Sequence, residues 1–206
     1  MNKAICITFG EQSLTHIGMK INGEKISHKG YNINDLQNFK SEFENMGCNC
    51  ELISLNNFLT QYKSDTFANV LVIRNCVNQI LGEESDKLLF QNLIDLEWDK
   101  KYWDTRRQKV LNKRARYNLC FGNKSQEPDY ENMKGTIIDY NKISVLKKLK
   151  DKLENICNNN NYLECEGNYY YDATKCGIGY HGDSERKKVF GISFCTNDIT
   201  REINWI

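Results

Sequence analysis

The segment Gly167-Asn168-Tyr169-Tyr170-Tyr171-Asp172-Ala173-Thr174-Lys175-Cys176-Gly177-Ile178-Gly179-Tyr180-His181-Gly182-Asp183-Ser184-Glu185-Arg186, continued by Lys187-Lys188-Val189-Phe190-Gly191-Ile192-Ser193-Phe194, decides how this chain is read. His181 and Asp183 are two residues apart, and on extended backbone such residues point to one face. An imidazole beside a carboxylate supplies two of the three donors of a facial His-His-carboxylate iron(II) site. Upstream, Asn168 and Tyr170 repeat the spacing with an amide and a phenol, groups able to hydrogen-bond the carboxylates of a small acid beside the metal. The run ending Ile192-Ser193-Phe194 reads as an apolar strand.

The order Asn-x-Tyr, then Gly-Ile-Gly-Tyr-His-Gly-Asp-Ser-Glu-Arg, then an apolar strand, resembles the AlkB-like family of 2-oxoglutarate/iron(II) dioxygenases over residues 167 to 194. The resemblance implies that His181 and Asp183 bind iron(II), and that Asn168 and Tyr170 contact 2-oxoglutarate. It also implies a double-stranded β-helix of the jelly-roll type. The family's chemistry is oxidation of a C–H bond, commonly on an N-methyl group of a nucleobase, which leaves as formaldehyde. A base inside a duplex would first have to be flipped out of the stack.

The chain departs from the family pattern after Phe194. The family's third iron ligand is a downstream His, followed by cosubstrate arginines, whereas no His follows His181 here. A jelly roll needs about eight strands, and the segment from Leu163 to Phe194 accounts for three. The expectation is a partial jelly-roll-like region with an incomplete site. A truncated reading frame, a degenerate non-catalytic member, and a third ligand drawn from His16, His28, Asp198, Glu202 or a partner chain all remain open.

Working towards the N-terminus, Val145 to Cys157 has the helical spacing of Leu146, Leu149, Leu153 and Ile156. Arg116 to Gly122 and Thr136 to Tyr140 read as strands, joined by a polar loop. The stretch from Trp98 to Tyr117 is the most basic in the chain, with Lys100, Lys101, Arg106, Arg107, Lys109, Lys113, Arg114 and Arg116 interleaved with Trp98, Tyr102, Trp103 and Tyr117. Cations neutralise phosphates while aromatic rings stack on unpaired bases, which marks Arg106, Arg107, Lys113 and Arg114 as nucleic-acid-binding candidates. The competing reading is a solvated helix face whose cations pair with Asp99 and Asp104.

Before that, Glu83 to Trp98 is a helix with a stripe of Leu88, Leu89, Leu93 and Leu96. Ala4 to Phe9, Glu51 to Leu55 and Asn69 to Arg74 read as strands. Asn34 begins a helix that Gly47 ends, Asn57 to Tyr62 is a short helix, and Gly10 to Gly30 is irregular. The fold class is therefore α+β: a small α/β N-terminal unit over residues 1–97, then the dioxygenase-like region over 98–206.

Composition sets the outer bounds. At 206 residues and net charge +1 the chain can bury a core, and bulk charge does not select a partner. No apolar run is long enough for a membrane span and the first strand is too short for a signal peptide, so a soluble, intracellular protein (cytoplasmic or nuclear) is expected. Nine scattered cysteines, an odd count, read as thiols rather than a disulfide framework. The other function class left standing is a non-catalytic nucleic-acid- or protein-binding protein.

Overall fold

The computed structural model describes residues 3–25, 29–58, 67–157, 163–172, 174–179 and 181–196. The fold is mixed α+β, built on a mixed five-stranded sheet. Its strands are β1 (Ala4–Gly10), β8 (Tyr117–Gly122), β9 (Ile137–Asp139), β10 (Glu164–Tyr170) and β11 (Phe190–Cys195), in the order β11-β1-β10-β8-β9. All neighbours are antiparallel except β8 and β9. Three two-stranded ribbons complete the β structure. They are β2 (Gln12–Ser13) with β3 (Asn22–Gly23), β4 (Asn49–Ser54) with β5 (Asn69–Arg74), and β6 (Lys101–Asp104) with β7 (Lys109–Asn112).

The helices are α1 (Ile33–Asn45), α2 (Cys76–Leu81), α3 (Ser85–Ile94) and α4 (Ser144–Ile156). In α1, Asn32 accepts from the Asn34 and Asp35 amides while Asp35 reaches back to the Asn32 amide, a capping box that fixes the start. Its buried face is Phe39 and Phe43. The stripe on α3 is narrower than its leucines suggest: Leu89 and Leu93 are fully buried, but Leu88 is 55% exposed.

Strand register sorts the sheet into two unlike faces, because alternate residues point opposite ways. On one face Ile5 aligns with Tyr169 and Phe194, Ile7 with Gly167 and Ile192, and Phe9 with Cys165 and Phe190. Leu119 and Phe121 extend these rows on β8. This face shares one core with Leu89 and Leu93 of α3 and with Leu146, Leu149 and Leu153 of α4. Helices supply most of that core among the described residues, with Phe39 and Phe43 of α1 joining it and Leu71 and Ile73 of the β4–β5 ribbon packed against it. The opposite face carries Cys6, Thr8, Asn118, Cys120, Glu166 and Asn168 in register.

The N-terminal strand is an interior strand of the sheet. β1 lies between β10 and β11, so the sheet draws strands from both sides of residue 97, and the two expected units share it. The basic stretch after Trp98 is not a helix but the β6–β7 hairpin. The region between Gly10 and Gly30 contains the β2–β3 ribbon, and α2 follows β5 where no helix was expected. Most of the short helix expected over Asn57 to Tyr62, together with His28, Asp198 and Glu202, lies outside the described residues.

Candidate functional site

The polar face of the sheet is the candidate site. At its centre, Asn168 accepts through Oδ1 from Arg116 Nε (2.6 Å) and Asn118 Nδ2 (2.7 Å), and donates through Nδ2 to Glu166 Oε1 (3.0 Å). Glu166 Oε2 accepts from Arg186 Nη2 at 3.0 Å, and Arg186 Nε donates to Asp183 Oδ2 at 2.9 Å. Arg186 Nη2 also reaches Glu185 Oε1 at 3.1 Å. Asn168, Glu166 and Arg186 are all buried. Burial works against the charge on Arg186, but the carboxylates of Glu166, Asp183 and Glu185 outweigh it and raise its pKa. One donor nitrogen, Nη1, is buried without a hydrogen-bond partner among the described residues.

His181 and Asp183 end this network, though not on a strand. Residues 181–189 have no regular secondary structure, so a loop brings the pair together, where strand alternation was the expected cause. His181 Nδ1 lies 2.7 Å from the Gly179 carbonyl. A carbonyl only accepts, so Nδ1 is a donor here, and in the neutral tautomer that this bond selects Nε2 presents a lone pair. That lone pair stands 3.7 Å from Asp183 Oδ1, too far for a hydrogen bond. An imidazole tied by one nitrogen to a backbone carbonyl, with the other free beside a carboxylate, is a donor arrangement that divalent metals use. Tyr170 stands on the same sheet face as Asn168, opposite Ala4 at the strand end.

The donor set fits iron(II) in kind but not in number. No group of three His, Cys, Asp or Glu side chains able to hold a metal occurs among the described residues. His16, one of the candidates for a third ligand, instead stacks on Tyr102 with ring centroids 3.8 Å apart. Asp183 is also shared, since Oδ2 already accepts from Arg186.

His16 and Tyr102 line a groove of about 560 Å³ together with Arg107, Lys113, Arg114 and Arg116. Burial, and then the cations of Lys113 and Arg116, hold His16 below its usual pKa despite its bond to the Ile17 carbonyl, so its ring is neutral near pH 7. Arg114 is exposed. Arg107 is exposed too and pairs loosely with Asp104 at 3.4 Å. Arg106 is exposed in the turn between β6 and β7 but is not among the lining residues. Lys113 differs from them: it is buried, and its ammonium donates to the Thr15 carbonyl at 2.8 Å. Burial pushes its pKa down to about 8, against the pull of Asp99.

Arg116 joins the two regions, lining the groove while its Nε bonds Asn168. Glu166, Arg186 and Asn118 were not singled out by the sequence reading. The alternation Glu164-x-Glu166-x-Asn168 was the available signal, since it puts three polar side chains on one face of a strand whose other face is core.

An uncharacterized protein of Acanthamoeba polyphaga mimivirus is 44% identical to this chain over 194 residues, covering 93% of this chain and 74% of the viral one. No protein-family model matches, and no solved structure matches.

Proposed function

We propose that this chain, which belongs to the same family as the mimivirus protein, acts in a 2-oxoglutarate/iron(II)-dependent oxidation of nucleic acid. What carries the reading is the continuous run of hydrogen bonds from groove to loop, Arg116–Asn168–Glu166–Arg186–Asp183, with His181 beside its end. Asn168 and Tyr170, which the AlkB-like resemblance assigns to the cosubstrate, stand on one face of β10, and Arg186 ties the loop that carries His181 and Asp183 to Glu166 on that face. The sheet itself is read as one half of a jelly roll, its polar face being the mouth.

In this reading Arg107 and Arg114 hold phosphates, and the paired rings of His16 and Tyr102 offer a stacking surface. His181 Nε2 and Asp183 Oδ1 are the metal donors, and Asn168 and Tyr170 face the cosubstrate. The described residues supply these two donors and no third. When bound, iron(II) with 2-oxoglutarate supplies the oxygen activation and C–H oxidation. The protein's part is to hold the imidazole tautomer through Gly179 and the Asp183 carboxylate through Arg186.

The Arg186 bond to Asp183 favours a second reading, in which the chain binds nucleic acid without catalysis. Anaerobic titration with iron(II) and 2-oxoglutarate decides between them. The oxygenase reading expects a saturable visible charge-transfer band that His181→Ala abolishes. If no band forms in folded protein that still binds nucleic acid, with affinity falling steeply as salt rises, the second reading holds.

A further inference from the structure

We infer that Ile17 is an apolar wedge that enters the base stack of a nucleic-acid duplex held by the adjoining basic groove. The inference rests on the reading of that groove as a nucleic-acid surface, and the observation behind it is separate. Ile17 is 86% exposed at the corner of a four-residue turn closed by the Met19 amide donating to the His16 carbonyl at 3.0 Å. Gly18 follows with φ +89°, the positive value that the third residue of a type II turn requires. A Cβ at Gly18 would stand 2.9 Å from Thr105 Cγ2, so the turn lies tight against the β6–β7 hairpin.

A lone exposed isoleucine is unremarkable in itself; the mounting is the informative part. On the N-terminal side, Thr15 is buried and its carbonyl accepts from Lys113. On the C-terminal side, Met19 is buried, its Sδ accepts from the Trp103 amide at 3.3 Å, and the Lys20 amide donates to the Met133 carbonyl at 2.7 Å. His16 is held by its stack on Tyr102. A backbone anchored on both flanks leaves only the side chain's own rotamers to be ordered when a partner buries it.

The surroundings select the partner. His16 and Tyr102 share their groove with Arg107, Arg114 and Arg116, and among the described residues no carboxylate lines it. Cations that grip phosphates beside an apolar tip that parts a base step make up a common architecture for kinking a duplex. An apolar protein ligand would meet three guanidinium groups instead.

The test uses the full chain and a short duplex carrying 2-aminopurine, which brightens when unstacked. Wild-type protein should bind and brighten the probe. Ile17→Ser should fold normally, lose the brightening and weaken binding on the order of tenfold, with an unchanged slope of affinity against salt. Arg114→Ala should keep the brightening and flatten that slope. If Ile17→Ser binds and brightens like wild type while Arg114→Ala weakens binding, the wedge is overturned and the groove reading survives. If the wild-type chain does not bind the duplex, or neither variant changes binding, the groove reading fails and takes the wedge with it.

Discussion

Replacing Arg186 by Met should destabilise the protein far more than a surface substitution, because the guanidinium is the buried clamp between sheet and loop. Its side chain is 5% exposed and that of Glu166 9%. Removing one partner of such a buried ion pair costs about 3–5 kcal/mol, since the other charge is left without compensation. Two features reduce that figure. Asp183 is 28% exposed and can turn to water, and the variant discards the unpartnered Nη1 donor, whose burial costs about 1–3 kcal/mol. The net expectation is a loss of about 2–4 kcal/mol. At about 2–4 °C per kcal/mol for a chain of this size, the melting temperature should fall by about 5–15 °C.

A double variant separates charge from packing. With Glu166→Gln added, residue 166 keeps a carbonyl oxygen to accept from Asn168 Nδ2, and no buried carboxylate is stranded. Arg186→Met/Glu166→Gln should therefore be more stable than Arg186→Met alone, with a coupling of about 2 kcal/mol in the double-mutant cycle. Urea unfolding at neutral pH, followed by tryptophan fluorescence, measures all four proteins. A single variant within about 0.5 kcal/mol of wild type, or strictly additive effects, would show that the pair contributes nothing.

Two further outcomes follow from buried groups on β10. Burial first, with Glu154 adding to it, raises the pKa of Glu164 to about 7, against the opposing pull of Asn22 and Lys150. The folded state then keeps a proton that the unfolded chain has lost, so stability falls as pH rises from the ordinary carboxylate range to about 7. Glu164→Gln should remove this loss, gaining about 1–2 kcal/mol after solvent screening at pH 8 and nothing near pH 4; equal gains at both pH values in denaturant titrations would refute the assignment. At Gly167, a Cβ would stand 2.9 Å from Trp98 Cη2 and 3.1 Å from Phe121 Cε2. Trp98 cannot readily yield, because it is buried and its Nε1 donates to the Leu93 carbonyl. Gly167→Ala should cost about 1–3 kcal/mol through overpacking, and an unchanged melting temperature would count against that packing.

Local patterns made much of the fold legible. The alternation of Ile5, Ile7 and Phe9 gave β1, the spacing of Phe39 and Phe43 gave α1, and that of Leu146, Leu149 and Leu153 gave α4. Pairing between distant strands was not legible. Nothing within Ala4–Gly10 says that its neighbours lie beyond residue 163, because register is set by which faces end up buried together. The hairpin within the basic stretch was hidden for a related reason: Lys109 to Asn112 has too few apolar residues to reveal a strand, and its pairing with Lys101 to Asp104 is what defines it.

The site was legible where its chemistry is local and hidden where it is shared. His181 and Asp183 announce themselves by spacing, but spacing does not reveal that Arg186, three residues on, folds back to bond the same carboxylate. That bond ties the loop to the sheet and also sets a cation where a metal would compete for Asp183. Glu166 eases the competition, because it holds Arg186 from the opposite side through Nη2 while Nε alone engages Asp183. A metal taking Asp183 would therefore leave the guanidinium still anchored at Glu166 and Glu185. Glu166 also accepts from Asn168, and Asn168 from Arg116, so hydrogen bonds connect Arg186 to the groove wall. The buried charges on this face thus do more than stabilise it: they tie the loop that carries His181 and Asp183 to the wall of the basic groove.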